Sequence, residues 1–150
     1  MESLKVDYDA IAQHYNRWYE ARQLTGVRTA LDRLRTSGRV LEVGCGTGHW
    51  LRSDDFGVDL SFEMLRRARG RLACADASAL PFRSREFSFV FCVNAIHHFG
   101  DKRAFICEAR RVLQPGGTLA VLGISPEMQR GQWWIYEYFP AALDADRLRY

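Results

Sequence analysis

The chain predicts an α/β fold, a doubly wound, mostly parallel sheet of about five strands with helices on both faces. Two observations predict it. Short apolar runs recur at 39–43, 57–59, 72–75, 87–94 and 118–124, the first of them rich in β-branched residues. Helical stretches with three- and four-residue apolar spacing separate most of them. Strands alternating with helices call for parallel pairing through right-handed crossovers.

The elements follow in order. Tyr8, Ile11, Ala12, Tyr15, Trp18 and Tyr19 repeat at helical spacing, so a helix with one aromatic face is expected over 7–22. A second helix is expected from Val27 to Leu34, ending near Ser37-Gly38, where glycine suits a helix C-terminus. Arg39 to Val43 reads as a buried strand, and Val58 centres another. Ser61 reads as the N-cap of a helix to about Gly70, with Met64 and Leu65 inward and Glu63 favouring its start. Leu72 to Ala75 is a third strand ended by Asp76, and Pro81-Phe82 marks a loop. Phe87 to Asn94, almost continuously apolar, is the central strand. Lys102 to Leu113 is an amphipathic helix with Phe105, Ile106, Ala109, Val112 and Leu113 inward. Gln114-Pro115-Gly116-Gly117 is expected to stop it, and Thr118 to Ile124 forms the fifth strand.

Composition excludes several classes. The chain has 150 residues, 47% of them apolar and 26% charged, which suits one soluble domain over 1–150. A net charge of +3 is too small to call for a nucleic-acid or membrane partner. The arginine run at 66–71 reads as a solvated helix face and its end rather than a phosphate patch. Cys45, Cys74, Cys92 and Cys107 have no C-x-x-C spacing and no paired histidine ligands, so neither a metal nor a disulfide framework is expected. With no leader-like apolar segment and no apolar run approaching 18 residues, a cytoplasmic location is expected.

Chemistry concentrates at residues 40–48, Val-Leu-Glu-Val-Gly-Cys-Gly-Thr-Gly. Glycines ending a buried strand allow positive φ and let backbone approach a ligand with no Cβ in the way. A helix following them would turn unpaired N–H groups toward a carboxylate or phosphate. The dinucleotide fingerprint needs a third glycine one place later, where this chain has His49.

The spacing G-x-G-x-G with Glu42 two places before it resembles motif I of the class I S-adenosylmethionine-dependent methyltransferases. So does Gly57-Val58-Asp59-Leu60-Ser61-Phe62-Glu63-Met64-Leu65, and Asp76-Ala77 followed by Leu80-Pro81-Phe82 is similar to the segment after strand 3. Asn94-Ala95-Ile96-His97-His98-Phe99 resembles the end of strand 4, and Leu113 to Leu119 matches L-x-P-G-G-x-L, a turn. The small-molecule, methyltransferase type 11 group fits best.

The resemblance implies a Rossmann-like domain binding S-adenosylmethionine and releasing S-adenosylhomocysteine. It places Gly44, Cys45, Gly46 and Gly48 against the cofactor, with Leu60 and Met64 beside them. Asp59 would accept both ribose hydroxyls, a task suited to an acceptor-only carboxylate. Asp76 would accept from the adenine amino group near the Ala77 N–H, and Asn94 would meet the methionine portion. Glu42 would orient the turn or the methionine amino group. The stretch from Tyr8 to Asn16 resembles the family's cofactor-covering segment, making Tyr15 the first candidate for the methionine end and Tyr8 the second. An aromatic face packed on the core is the competing reading. His97 and His98 are candidate general bases where an acceptor must lose a proton, against a plain role as loop or cap residues.

Two departures from the family stand out. Only ten residues separate Gly48 from Asp59, so the first crossover is abbreviated. After Ile124, 26 residues remain, fewer than the family's C-terminal β-hairpin and helix need, so that hairpin is expected to be missing. The segment 125–150 carries Trp133, Trp134, Ile135, Tyr136, Tyr138 and Phe139 and reads as an apolar-faced helix. It could cap the acceptor, cover strand 5 or form a homodimer. A small-molecule methyl acceptor is the expected partner. The alternatives are a cofactor-binding protein without turnover, a truncated methyltransferase and an NAD-binding oxidoreductase. A nucleic-acid enzyme would call for proline after Asn94, where the chain has Ala95.

Overall fold

The computed structural model describes residues 7–12, 25–123 and 147, and among them five strands form one sheet, all parallel. In chain order the elements are α1 (Tyr8–Ile11), α2 (Thr25–Leu34), β1 (Val40–Val43), β2 (Phe56–Asp59), α3 (Phe62–Leu65), β3 (Arg71–Cys74), β4 (Phe87–Val93), α4 (Lys102–Val112) and β5 (Leu113–Leu122). A single 3-10 turn, Ile96–His98, lies between β4 and α4. The strand order is β3-β2-β1-β4-β5.

β1 and β4 are central and buried on both faces, which is why they read as almost unbroken apolar runs. Successive side chains alternate between two cores. Leu41, Val43, Val90 and Cys92 pack with Val58 against Phe105, Ala109 and Val112 of α4. Val40, Phe89, Phe91 and Val93 pack on the other face with Leu31 of α2, Trp50 and Ala120. Helices therefore cover both faces, as the alternation required. Glu42 shares the parity of Val40 and is buried beneath α2 at 1% exposure.

Several boundaries differ from the sequence expectation, each for a tertiary reason. No helix follows β1; residues 46–50 and 53–54 are turns, because β2 begins at Phe56 and leaves no length for one. The helix capped by Ser61 stops at Leu65 rather than near Gly70. Its continuation tightens to three-residue bonds from Arg67 to Met64 and from Ala68 to Leu65, and the chain turns into β3 at Arg71. Residues 114–117 do not interrupt strand 5 but form an irregularity inside it. Phe87 pairs with Leu113 and Phe89 with Thr118, so the excess residues are extruded around Gly116 at φ 78°. Only residues 7–12 of the helix expected over 7–22 are described. The aromatic tail with Trp133 and its neighbours lies outside the described residues.

The chain runs from β1 outward to β2 and β3, then returns to β4 and β5 on the other side. That reversal between β1 and β4 opens a crevice beyond their carboxyl ends, where ligands of open α/β sheets bind.

Candidate active site

At the crevice the three glycines have the conformations their spacing implied. Gly44, Gly46 and Gly48 sit at φ 74°, 52° and 75°. Gly44 is also sterically required, since a Cβ there would lie 2.5 Å from the Cβ of Ala95 at the end of β4.

The turn's amides are spent inside the protein. Gly44 and Cys45 both donate to the Val58 carbonyl, at 2.8 and 3.0 Å, and Gly48 donates to the Cys45 carbonyl at 2.8 Å. Gly46 donates to Oδ2 of Asp59 at 2.7 Å. This corrects the expectation that a helix start and free N–H groups would face the ligand. The turn offers close backbone approach but no phosphate cradle.

Asp59 ends β2 and ties the turn down. Its Oδ1 accepts from Ser61 N–H at 2.9 Å while Oδ2 holds Gly46. Each oxygen keeps a second lone pair for a hydroxyl donor. Burial raises the Asp59 carboxyl above its ordinary range, and the N–H groups of Ser61, Gly46 and Leu60 pull it back. Glu42 is more extreme. Its Oε2 is buried with no hydrogen-bond partner among the described residues, and burial pushes its carboxyl well above the usual range. An orphaned buried carboxylate oxygen beneath a glycine turn fits a cationic group.

Apolar surface lies beside the acids. Leu60, next to Asp59, is 69% exposed, whereas Met64 of α3 is buried. Asp76 follows β3 on an exposed loop and accepts from Ser78 N–H and Oγ–H at 2.8 and 2.7 Å, with Ala77 buried beside it. Arg111 of α4 fixes the loop beyond by donating to the carbonyls of Leu80 and Phe82, at 2.9 and 2.7 Å.

α1 bridges two of these strand ends. The Tyr8 hydroxyl hydrogen-bonds Nε2 of His98 after β4, and the Ser61 hydroxyl, after β2, donates to Asp9. His98 therefore engages the covering helix, with the His97 ring centroid 3.9 Å from its own. Tyr8→Phe removes the β4 anchor, and amide exchange at Ala10 and Ala12 is expected to quicken about tenfold, the equivalent of one ordinary hydrogen bond. Unchanged exchange would show that α1 is held elsewhere. Tyr15 lies outside the described residues.

Asn94 directly follows β4 at φ 50°, unusual for a residue with a side chain, and its N–H donates to the Leu122 carbonyl at 2.8 Å. With Gly26, Val27, Val121, Leu122 and Gly123 it lines a cavity of about 290 Å³. A larger cavity of about 740 Å³ opens at the other end of the sheet, around Arg85 and Pro115, away from the glycine turn. The candidate site residues lie at the crevice end instead. The structure thus gathers Glu42, the glycines, Asp59 and Leu60 around one crevice, with Asn94 at its β4 side. Sequence reasoning missed Asp9, whose signal lay in the Tyr8-Asp9 pair, and Arg35, which had none. Among the described residues no cluster of potential metal ligands occurs, and no helix is long and apolar enough to cross a membrane.

Known proteins resemble this chain in sequence and fold. A family model described as a methyltransferase domain matches residues 41–121. The 27-O-demethylrifamycin SV methyltransferase of Amycolatopsis mediterranei is 32% identical over 59% of this chain and 39% of its own length. A probable tRNA methyltransferase 9B of Bos taurus is 32% identical over 63% of this chain and 23% of its own. Among solved structures, the complex of the Haloferax volcanii methyltransferase activator Trm112 with its methyltransferase partner gives a TM-score of 0.76. The identity there is 24%, covering 98% of this chain and 77% of that one, a likeness of fold. The chain spans between 39% and 60% of the length of the first curated relatives it matches.

Proposed function

The chain belongs to the methyltransferase domain family, whose methyl donor is S-adenosylmethionine, and we propose that it transfers that methyl group to a small-molecule acceptor. One observation carries the reading. The glycine turn has spent the amides of Gly44, Cys45, Gly46 and Gly48 internally, while Glu42 and Asp59 stand around it. Such a site suits a cationic, phosphate-free nucleoside and disfavours the pyrophosphate of NAD.

Each residue then has a task. Asp59 accepts the ribose hydroxyls with the lone pairs that Gly46 and Ser61 leave open. Glu42 takes the ammonium, Leu60 lies against the adenine, and Asp76 accepts from its amino group. Gly44 lets the backbone close on Ala95, and α1 excludes water from above. When bound, S-adenosylmethionine supplies a methyl group on a positively charged sulfur, already electrophilic. The protein's contribution is mainly positional, and holding a nucleophile in line is worth roughly 7–11 kcal/mol. The cavity beside Asn94 suits an acceptor with an apolar body and one hydrogen-bonding group. His97 is the candidate to receive a proton, because His98 anchors α1.

Calorimetric titration with S-adenosylmethionine, S-adenosylhomocysteine and NAD tests the first half. Binding of both sulfur ligands without NAD is expected, and tight NAD binding alone would overturn it. Methyl transfer to phenols, quinols, amines and carboxylates, with tRNA in parallel, tests the second half. Transfer to tRNA alone would replace the small-molecule acceptor by a nucleic acid, as the name of the Bos taurus relative suggests for that protein.

A further inference from the structure

The abbreviated crossover leaves residues 46–55 without a helix to hold them, yet their backbone groups must still be satisfied. Side chains from α2 and just beyond it take over. Arg28 donates to the His49 carbonyl at 3.1 Å. Arg35 donates to the Trp50 carbonyl at 3.1 Å and to Oδ2 of Asp55 at 2.7 Å, and the same oxygen accepts from Arg52 N–H at 2.8 Å. The Arg35 and Asp55 side chains are each only 7% exposed, unlike the Asp32–Arg52 pair on the surface.

Arg35 also lies over the sheet face that Phe91 shares with Glu42. Its guanidinium lies 5.3 Å from the centroid of Phe91, the residue paired with Glu42 in the β1–β4 register. Arg35 Nε is buried without a partner among the described residues, as is Oε2 of Glu42.

We propose that Arg35 is a positioning residue for cofactor binding, bracing residues 50–55 in place of a crossover helix and supplying the cation that faces Glu42. The proposal rests on the reading of Glu42 as the ammonium's partner. Four charged groups act on Glu42. Arg35 and Arg28 favour its ionised form, Asp55 and Asp59 oppose it, and Arg35 has the largest effect of the four. A guanidinium suits both tasks, because its fork serves a carbonyl and a carboxylate at once while the charge persists at any working pH.

The test is S-adenosylhomocysteine affinity between pH 5.5 and 9, read by calorimetry on wild type, R35M, R35K, D55N and E42Q. Wild-type affinity is expected to rise with pH as Glu42 ionises. R35M moves the midpoint of that rise upward by about one pH unit, since an opposite charge has been removed. R35K keeps the charge and leaves the midpoint in place. D55N moves it downward, because an acid opposing Glu42 is gone. R35M and D55N break the same ion pair, so a merely loosened crossover would move both alike. Shifts in the same direction, or none, overturn the proposal, and D55N with R35K decides it if R35M does not fold. Binding by E42Q equal to wild type overturns the reading of Glu42 instead, and no binding by wild type overturns the cofactor.

Discussion

Asp59→Ala is expected to weaken S-adenosylhomocysteine binding by about 3 kcal/mol, roughly a hundredfold, and to destabilise the free protein by about 2 kcal/mol. The two losses share a cause. The carboxylate that would receive the ribose also holds Gly46 N–H at 2.7 Å and Ser61 N–H at 2.9 Å. Removing it leaves both donors without their acceptor and releases the turn from the end of β2. Urea denaturation and calorimetry separate the two effects. Asp59→Asn keeps one acceptor oxygen but sets an NH₂ against Gly46 or Ser61, so its stability should resemble alanine while binding partly recovers. Affinity unchanged in the alanine variant would show that Asp59 does not hold the ribose. Stability unchanged would show that the turn is held without it. Acidity gives a third reading. Burial holds the Asp59 carboxyl above its ordinary range, so affinity should fall on acidification at a higher pH than an ordinary aspartate would give.

What was legible in the sequence is what depends on local pattern. β4 announced itself because a central parallel strand is apolar on both faces, and the N-cap role of Ser61 follows from its hydroxyl alone, which accepts Met64 N–H at 3.1 Å. The positive φ at Gly44, Gly46 and Gly48 followed from spacing. What was not legible depends on which strand ends become neighbours. The Val58 carbonyl takes two amides of the turn only because β2 lies beside β1 with Val43 opposite Val58. No sequence pattern states that register. Arg35 was equally silent, since it lies one residue past α2 and belongs to no apolar face. The extrusion in β5 is a compromise between a helix that ends at Val112 and a strand that must still pair with Phe87.

Gly44→Ala should cost about 3 kcal/mol of stability or more, lowering the melting temperature by roughly 6–12 °C in a domain of this size. Two separate costs add. An alanine at φ 74° carries the strain of the left-handed region, about 1–2 kcal/mol. Its Cβ would also lie 2.5 Å from that of Ala95 and 3.3 Å from the Phe99 ring. Ala95 has little room to retreat, because Asn94 before it is itself left-handed and bonded through its N–H to Leu122. Gly100→Ala is the matched control, with open space around its Cβ and no positive φ, and should melt with the wild type. The double variant Gly44→Ala, Ala95→Gly removes the clash and leaves the strain, so it should recover about half of the loss. The requirement for glycine at 44 would then come from the contact that closes β1 against β4, before any ligand arrives. A Gly44→Ala protein that melted with the wild type would mean that the two strand ends do not touch, and that the crevice is wider at its floor than this packing allows.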